Sequence, residues 1–225
     1  MASGAKTVRS RVVWSVLLVG VVAYSIVWTY HSYRRFGEQL SVLSGIAISD
    51  TRGDIRYRLG DPPVVYANEQ PGESGGNIFY TDPQKDPALP PGADLNRYRT
   101  WLYNNGASLD PRLDVTFDAN LGRVTKIDCI DRSEPPTVYC SRLVGAGIDD
   151  PESRIVALFG APTRQSIDDE SGVKTMDYSD IGAEFFLARQ RVYAISIVGT
   201  GAARQAPISR FLIWFSSDLR TEFKL

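Results

Sequence analysis

Hydrophobic residues are arranged in two ways along this chain, as one long apolar run near the start and as alternating stretches further on. From Val12 to Tyr30 no residue carries a charge, and at about 1.5 Å per residue this run nearly spans a hydrocarbon core about 30 Å thick. Trp14, Trp28 and Tyr30 lie near its ends, as interfacial anchors do. The pattern predicts an N-terminal transmembrane helix at residues 12–30, with residues 1–35 forming the anchor and its flanks.

A cleaved signal peptide is the alternative interpretation of this run. Ala23-Tyr24-Ser25 resembles a small-x-small cleavage site, but the apolar run continues through Ile26, Val27 and Trp28. We therefore expect an uncleaved signal-anchor. Basic residues are slightly more numerous before the run than after it: Lys6, Arg9 and Arg11 against Arg34 and Arg35. This bias predicts a single-pass inner-membrane protein whose N-terminus is cytoplasmic and whose C-terminal domain is periplasmic.

The part after the run contains an internal repeat at an offset of one hundred residues. Ile48–Pro62 aligns with Ile148–Pro162, with identities at Ile48/Ile148, Asp50/Asp150, Ile55/Ile155, Gly60/Gly160 and Pro62/Pro162. Each segment predicts a helix of under three turns, with the aspartate as N-cap and the glycine ending the helix before proline. Ile155, Leu158 and Phe159 form its apolar stripe.

Alternating strands follow each helix. In the first repeat they are Tyr98–Tyr103, Arg112–Phe117 and Arg123–Ile130, and in the second Val173–Tyr178, Ala183–Ala188 and Arg191–Val198. The last strands align at an offset of 68, because the first repeat holds a proline-rich insertion at about 66–96. This insertion is either a long functional loop or a disordered one, and we expect it to be mostly flexible.

These elements predict an α+β fold in which a transmembrane helix precedes two repeats, each a short helix packed on a small antiparallel sheet. Repeat 1 covers residues 44–130, a connector 131–144, repeat 2 residues 145–199 and an aromatic C-terminal tail 200–225. Ile208, Phe211, Leu212, Phe215 and Leu219 have helical spacing in the tail. A short buried strand remains an alternative for the tail, as does contact with the membrane.

Two cysteines bracket the connector. Cys129 and Cys140 are separated by a Pro-Pro segment that brings them together, and we expect a disulfide between them. Such a bond contributes about 3 kcal/mol by restricting the unfolded chain, and it persists in an oxidising compartment. Two unrelated buried thiols are the alternative.

The repeat motif resembles a known family. The order Ile-x-Asp, Ile, Gly-x-Pro, then a strand ending in tyrosine and a hairpin ending Arg-Val-x-x-Ile, is similar to the SmpA/OmlA (BamE-like) domains of outer-membrane assembly lipoproteins. It is also similar to the tandem fold of β-lactamase inhibitory protein. The resemblance implies a protein-binding platform, and it carries over no catalytic residues.

Composition and charge exclude several classes of partner and of catalytic or metal site. Beyond residue 35 the chain carries 20 basic and 26 acidic residues, which argues against a nucleic-acid partner. His31 is the only histidine, so a histidine-dependent triad or multi-histidine metal site is excluded. Asp118, Asn120 and Gly122 resemble the start of a calcium loop, but they lie between two alternating strands and are typical of a hairpin turn. We expect no catalytic site, cofactor, metal or small-molecule substrate.

Strand alternation assigns two faces to the predicted sheets. The apolar set is expected to face the helices and consists of Trp101, Tyr103, Leu113, Val115, Phe117, Ile127, Cys129, Met176, Tyr178, Ala183, Phe185, Leu187, Ile195 and Ile197. The opposite face holds the predicted protein-binding residues Leu102, Thr116, Lys126, Asp177 and Phe186.

The sequence therefore predicts a membrane-anchored periplasmic protein–protein interaction module, a scaffold or assembly factor whose partner is an envelope protein of unknown identity. A periplasmic hydrolase inhibitor is the alternative, and an enzyme with an unrecognised site is a weaker one.

Overall fold

The structure is a computed structural model that describes the backbone of residues 4–67, 77–104, 110–137, 139–199 and 206–223. Side chains are described within these ranges from Leu17 to Tyr66 and from Asn77 to Ser217. All structural statements below concern these residues.

The chain begins with the helix α1, Gly4–Leu40. Where side chains are described, no helix combines the length and the apolar character that crossing a membrane requires. This finding overturns the predicted transmembrane helix at residues 12–30, the signal-anchor and the single-pass inner-membrane location with a periplasmic C-terminal domain. The last turns of α1 belong to the folded domain instead, because Phe36 and Leu40 are buried in its core.

The remaining elements alternate short helices with strands. The helices are α2 (Arg52–Leu59), α3 (Glu152–Phe159) and α4 (Ile208–Phe223), with a 3₁₀ turn at Leu95–Arg97. The strands are β1 (Val42–Leu43), β2 (Ile46–Ala47), β3 (Val64–Ala67), β4 (Asn77–Tyr80), β5 (Thr100–Asn104), β6 (Arg112–Phe117), β7 (Val124–Ile130), β8 (Arg164–Ile167), β9 (Lys174–Tyr178), β10 (Ala183–Ala188) and β11 (Arg191–Val198).

Strands β1 and β2 pair with each other in a separate two-stranded sheet, whereas strands β3 to β11 form a single antiparallel sheet, which differs from the two separate small sheets that we predicted. Its order is β4-β3-β5-β6-β7-β11-β10-β9-β8, so the last strand of each repeat pairs with the last strand of the other. Asp128 on β7 lies opposite Ser196 on β11, and these two residues are equivalent at the offset of 68. The repeats are therefore related by an approximate two-fold axis through this pair.

The same turn precedes α2 and α3. Asp50 accepts a hydrogen bond from the Ala47 amide at 2.8 Å, and Asp150 accepts one from the Gly147 amide at 2.8 Å. Both aspartates thus close the turn before the helix, and the prediction that they are the N-caps is wrong. Thr51 caps α2 through a capping box with Asp54. The N-cap residue of α3 is Pro151, whose side chain makes no capping hydrogen bond.

Both helices end in the same way. Gly60 and Gly160 adopt φ values of 80° and 78°, which favour glycine. The Tyr103 hydroxyl donates to the Gly60 carbonyl at 3.1 Å, and the Tyr178 hydroxyl donates to the Gly160 carbonyl at 2.9 Å. The tyrosine that ends each predicted strand therefore ties the sheet to the C-terminus of its helix.

The core lies between the helices and one face of the sheet. The apolar set predicted from strand alternation is buried there in full, together with Ile55 and the α3 stripe of Ile155, Leu158 and Phe159. This confirms the predicted core positions of these strands. In β5 and β11 residues of the opposite parity are buried too, among them Leu102, Ala194 and Ser196.

The C-terminal tail contains a helix rather than a strand. Phe211 of α4 is buried against Phe36 and Tyr33 of α1, with ring centroids 6.0 and 5.3 Å away. Arg210 of the same helix pairs with Asp180 at 2.6 Å and donates to the carbonyl of Phe159 at the end of α3. The tail thus closes the core beside repeat 2.

The predicted disulfide is present, and it links Cys129 at the end of β7 to Cys140 in the connector. The insertion at 66–96 is partly regular, because β4 pairs with β3 and extends the sheet by one strand. Residues 68–76 of the insertion lie outside the described part of the chain. The expectation of a mostly flexible loop is therefore wrong for residues 77–80.

Candidate interaction surface on the open sheet face

The face of the sheet opposite the core is called here the open face. One line of directly paired residues crosses it from β5 to β8: Leu102, Asp114, Asp128, Ser196, Glu184, Asp177 and Arg164. Its four carboxylates, Asp114, Asp128, Glu184 and Asp177, are called the acidic row. Like charges directly opposite each other on neighbouring strands are unfavourable, so this arrangement requires compensating groups.

Three cations compensate part of the acidic row. Arg112 pairs with Asp114 at 3.1 Å, Lys126 with Asp128 at 2.9 Å, and Arg164 with Asp177 at 3.5 Å. Among the described residues, Glu184 has no ion-pair partner within 4 Å. Burial raises the pKa of Glu184, while nearby Lys126 partly opposes that change.

Asp114 is the most enclosed member of the row, with 7% of its surface exposed. Burial raises the pKa of its carboxyl to about 6, against the lowering effect of Arg112. Oδ2 accepts a hydrogen bond from Arg112 at 3.1 Å, but Oδ1 has no donor among the described residues. Ser196 is fully buried, and its Oγ likewise has no partner there. Buried polar atoms normally have a hydrogen-bond partner. Two buried atoms without one in the same line of residues therefore distinguish this surface.

A cavity of about 250 Å³ opens beside the acidic row where the two repeats meet. Its lining combines charged and apolar groups: Asp114, Lys126, Asp128, Ile130, Arg132, Phe186, Tyr193 and Ala194. The Arg132 guanidinium lies over the Tyr193 ring, 4.9 Å from its centroid. Residues from β6, β7, β10 and β11 therefore contribute to one depression centred near the approximate two-fold axis.

The five predicted binding residues are only partly brought together. Lys126 and half-buried Phe186 line the cavity, and Asp177 lies further along the acidic row. Thr116 is half-buried, and its hydroxyl shares a hydrogen bond with Thr100 at 3.1 Å. Leu102 is 1% exposed, so the expectation that it is available to a partner is wrong.

Six cavity residues were missed as binding residues: Asp114, Asp128, Ile130, Arg132, Tyr193 and Ala194. Alternation assigns Asp114 to the open face but does not show that its carboxylate is enclosed. Tyr193 reaches the cavity because β10 and β11 shift register between Phe186 and Leu187, and such a bulge is not visible in strand alternation. Arg132 follows β7 in the connector, where no periodicity constrains it.

The motif at residues 118–122 forms the hairpin turn that we predicted. Within the described residues, no three histidine, cysteine, aspartate or glutamate side chains are grouped so that they could hold a metal ion. Asp118 accepts from the amides of Asn120 and Leu121, as expected of a hairpin turn. The arrangement offers a shaped recess with apolar walls and a buried acceptor.

Comparisons with known proteins leave the family open. No protein-family model matches the chain, and no curated protein matches it either. Among solved structures, a DUF4309 family protein (YjgB) from Bacillus subtilis subsp. subtilis str. 168 is similar at 12% sequence identity. The similarity covers 69% of this chain and 83% of that chain, with a TM-score of 0.37. At this level it supports no argument about function.

Proposed function

We propose that this protein is a non-enzymatic interaction module that binds a segment of a partner protein on the open face of its sheet. The observation that carries the proposal is the cavity at the junction of the repeats, where half-buried Phe186 lies in the same lining as the charged side chains of Asp114, Lys126 and Asp128. An apolar centre with a polar rim is the usual anatomy of a protein interface.

The position of the cavity on the fold supports the same function. It lies on strands β6, β7, β10 and β11 of one continuous sheet, which provide a rigid base. The likeness of the repeat motifs to SmpA/OmlA (BamE-like) domains, which implies a protein-binding platform, agrees with this proposal.

Site-specific photocrosslinking tests the proposal. A photoreactive phenylalanine analogue is placed at Phe186 or, as a matched aromatic control, at Tyr57, which is 93% exposed on α2. Both proteins are expressed at native level, irradiated in cells and probed for adducts. We expect a discrete adduct from position 186 and none of the same size from position 57.

The Phe186→Ala variant provides the second arm, with a crosslinker at the neighbouring exposed position Ala188. We expect at least a severalfold loss of the same adduct with a melting temperature close to that of the unsubstituted protein, because Phe186 lies outside the main core. Equal adducts from positions 186 and 57, or an adduct indifferent to Phe186→Ala, would rule out this face as the binding site.

A further inference from the structure

We propose that the edge strand β8 pairs antiparallel with β8 of a second copy of this chain, across a two-fold axis at Ser166, so that two sheets join into one. Symmetric dimers of this kind use the same surface on both copies. The proposal concerns the edge of the sheet, and it goes beyond the interaction surface on the open face.

The first argument is that β8 has an open outer edge where its counterpart in repeat 1 has none. β8 lies at one end of the sheet and pairs with β9. At the offset of one hundred its counterpart is β3, which pairs with β5 on one side and antiparallel with β4 on the other. Among the described residues, no segment takes the place of β4 beside β8. Repeat 2 therefore has a position for one more antiparallel strand.

The opposite end of the sheet is covered by the chain itself. The Tyr80 amide on β4 donates to the Pro87 carbonyl at 2.9 Å, and the Leu89 amide donates to the Tyr80 carbonyl at 2.8 Å. Proteins commonly cover sheet edges in this way, because unpaired backbone groups bind other strands. With this end covered, pairing at β8 gives a closed dimer.

The backbone groups that a second strand requires point away from β9. The Asp168 amide, just after β8, donates to the Val173 carbonyl of the hairpin at 2.9 Å. Because backbone groups alternate sides along a strand, those of Ser166 also face β9, and those of Gln165 and Ile167 face outward. Both outward residues are exposed, Ile167 at 64%. Gln165 of each copy can therefore exchange hydrogen bonds with Ile167 of the other.

The second argument is that this segment is complementary to itself, which favours a second copy over an unrelated strand. With Ser166 on the axis, Arg164 of each copy lies opposite Asp168 of the other, and opposite charges at facing positions stabilise antiparallel strands. The Arg164 side chain is 78% exposed and lies 3.5 Å from Asp177, so its other N–H groups are available to a second carboxylate. Asp168 is exposed and binds Ser171 in its own turn, and a carboxylate can accept further donors.

Such a dimer keeps both cavities accessible. The cavity lies on β6, β7, β10 and β11, and β9 separates these strands from β8. Antiparallel pairing across a two-fold axis normal to the sheet places both open faces on the same side. Each dimer would then present two copies of the cavity on one continuous sheet.

Disulfide trapping in the full-length protein tests the pairing. Cys129 and Cys140 are bonded to each other, so an introduced cysteine is the reactive thiol. Facing residues at a non-hydrogen-bonded antiparallel position have Cα atoms about 4.5 Å apart, which a disulfide can span. We expect Ser166→Cys to form a covalent dimer under mild oxidation. Glu170→Cys, at an exposed position in the β8–β9 turn away from the axis, is the matched control and should dimerise at least severalfold more slowly.

A mixture of two variants tests the register. Gln165 of one copy faces Ile167 of the other in the proposed pairing. The Gln165→Cys and Ile167→Cys proteins should therefore crosslink to each other faster than either crosslinks to itself. Faster crosslinking within either variant alone would contradict an axis at Ser166.

Sedimentation equilibrium without a crosslink provides the second arm. One pair of strands is a small interface, so we expect a dissociation constant on the order of 100 µM. Gln165→Pro removes an outward amide hydrogen and leaves the pairing with β9 intact. It should abolish the dimer with little change in melting temperature, whereas Gln165→Ala, which keeps the amide, should dimerise like the unsubstituted protein.

Charge reversal gives a variant that does not alter the backbone. Arg164→Glu places like charges opposite each other and should weaken the dimer about tenfold. Arg189→Glu makes the same change in net charge at a side chain that is 89% exposed and should leave the dissociation constant unchanged. This comparison stands even if Gln165→Pro folds poorly.

Three results would overturn the proposal. They are a chain that stays monomeric at millimolar concentration, a Ser166→Cys protein that dimerises no faster than Glu170→Cys, and equal dissociation constants for Gln165→Pro and Gln165→Ala. In cells, a Ser166→Cys adduct of a size other than the dimer would also overturn it, in favour of a strand from a different protein. The Phe186 crosslink is measured independently, so the interaction surface on the open face is retained or rejected separately.

Discussion

At the scale of single residues, Asp114 shows how a carboxylate can lower the stability of its own fold. Its pKa is about 6 in the folded protein, against an ordinary value of 3.8, because burial disfavours the charged form. Below pH 3.8 the carboxyl is protonated in both the folded and the unfolded state and has no effect on stability. Between 3.8 and 6 only the unfolded state ionises, so stability falls as pH rises through this window.

We expect Asp114→Asn to remove this pH dependence. Relative to the unsubstituted protein, its free energy of unfolding should rise between pH 4 and pH 8 by on the order of 3 kcal/mol, the equivalent of the pKa shift. Urea unfolding of both proteins across this range gives the difference directly. Asp169→Asn, which changes an exposed carboxylate in the β8–β9 turn, is the control and should follow the unsubstituted protein. If the difference in unfolding free energy between Asp114→Asn and the unsubstituted protein does not change with pH, the raised pKa of Asp114 is contradicted.

At the scale of elements, Arg210 is the contact that holds α4 on repeat 2. Its side chain is 12% exposed, pairs with Asp180 and donates to the carbonyls of Phe159, which ends α3, and of Ala161 just beyond it. We expect Arg210→Met to lower the free energy of unfolding by about 3 kcal/mol, because it removes the cation paired with Asp180 and the donor to two carbonyls. Chemical denaturation and protease cleavage within α4 measure the effect.

Arg189→Met is the matched control for Arg210→Met. Arg189 pairs with Glu134, but the two side chains are 89% and 86% exposed. Exposed ion pairs contribute at most about 1 kcal/mol, so Arg189→Met should leave the free energy of unfolding nearly unchanged. Similar losses from both variants would show that the contacts of Arg210 do not hold α4.

The disulfide gives a second prediction about elements. Cys129 and Cys140 are separated by 11 positions, so the bond closes a short loop between β7 and the connector. We expect the double variant Cys129→Ala/Cys140→Ala to lose about 3 kcal/mol of unfolding free energy. Unsubstituted protein with reductant should match it, and thiol labelling of denatured, unreduced protein should find no free sulfhydryl. Labelling of two thiols would contradict the bond.

Most elements were predictable from sequence because strand alternation and helix stops are local signals. In repeat 2 the strands β9, β10 and β11 were located to within one residue, whereas β8 was not predicted, and the two glycine helix ends were correctly placed. The joining of the two sheets was not predictable, since pairing of β7 with β11 depends on contacts 68 positions apart. The enclosure of Asp114 and the burial of Leu102 were missed for the same reason, because burial on the open face is set by neighbouring strands.

At the scale of the whole molecule, the approximate two-fold axis makes one body from two repeats. β7 and β11 are each bonded on both edges, and the residues of both repeats contribute to one continuous buried cluster. Separating the repeats would expose two strand edges and divide this cluster. We therefore expect both repeats to unfold in one cooperative step.

Native-state hydrogen exchange measures this cooperativity strand by strand. The slowest amides of β7 and β11 should give the same free energy of opening, equal to that of global unfolding, whereas amides of the edge strand β8, whose four side chains are exposed, should exchange at lower free energy. A mutation in repeat 2 tests the coupling directly. Met176 on β9 is fully buried, so Met176→Ala should cost about 2–5 kcal/mol.

If the repeats form one unit, Met176→Ala should lower the opening free energy of β5 amides in repeat 1 by the same amount as that of β11 amides in repeat 2. Ile167→Ala, at a position 64% exposed on β8, is the matched apolar control. It should change the opening free energies of the β5 and β11 amides by no more than about 0.5 kcal/mol. A loss confined to β9, β10 and β11 would show that repeat 2 opens alone. In that case the cavity, whose lining residues come from both repeats, would exist only while the β7–β11 pairing is closed.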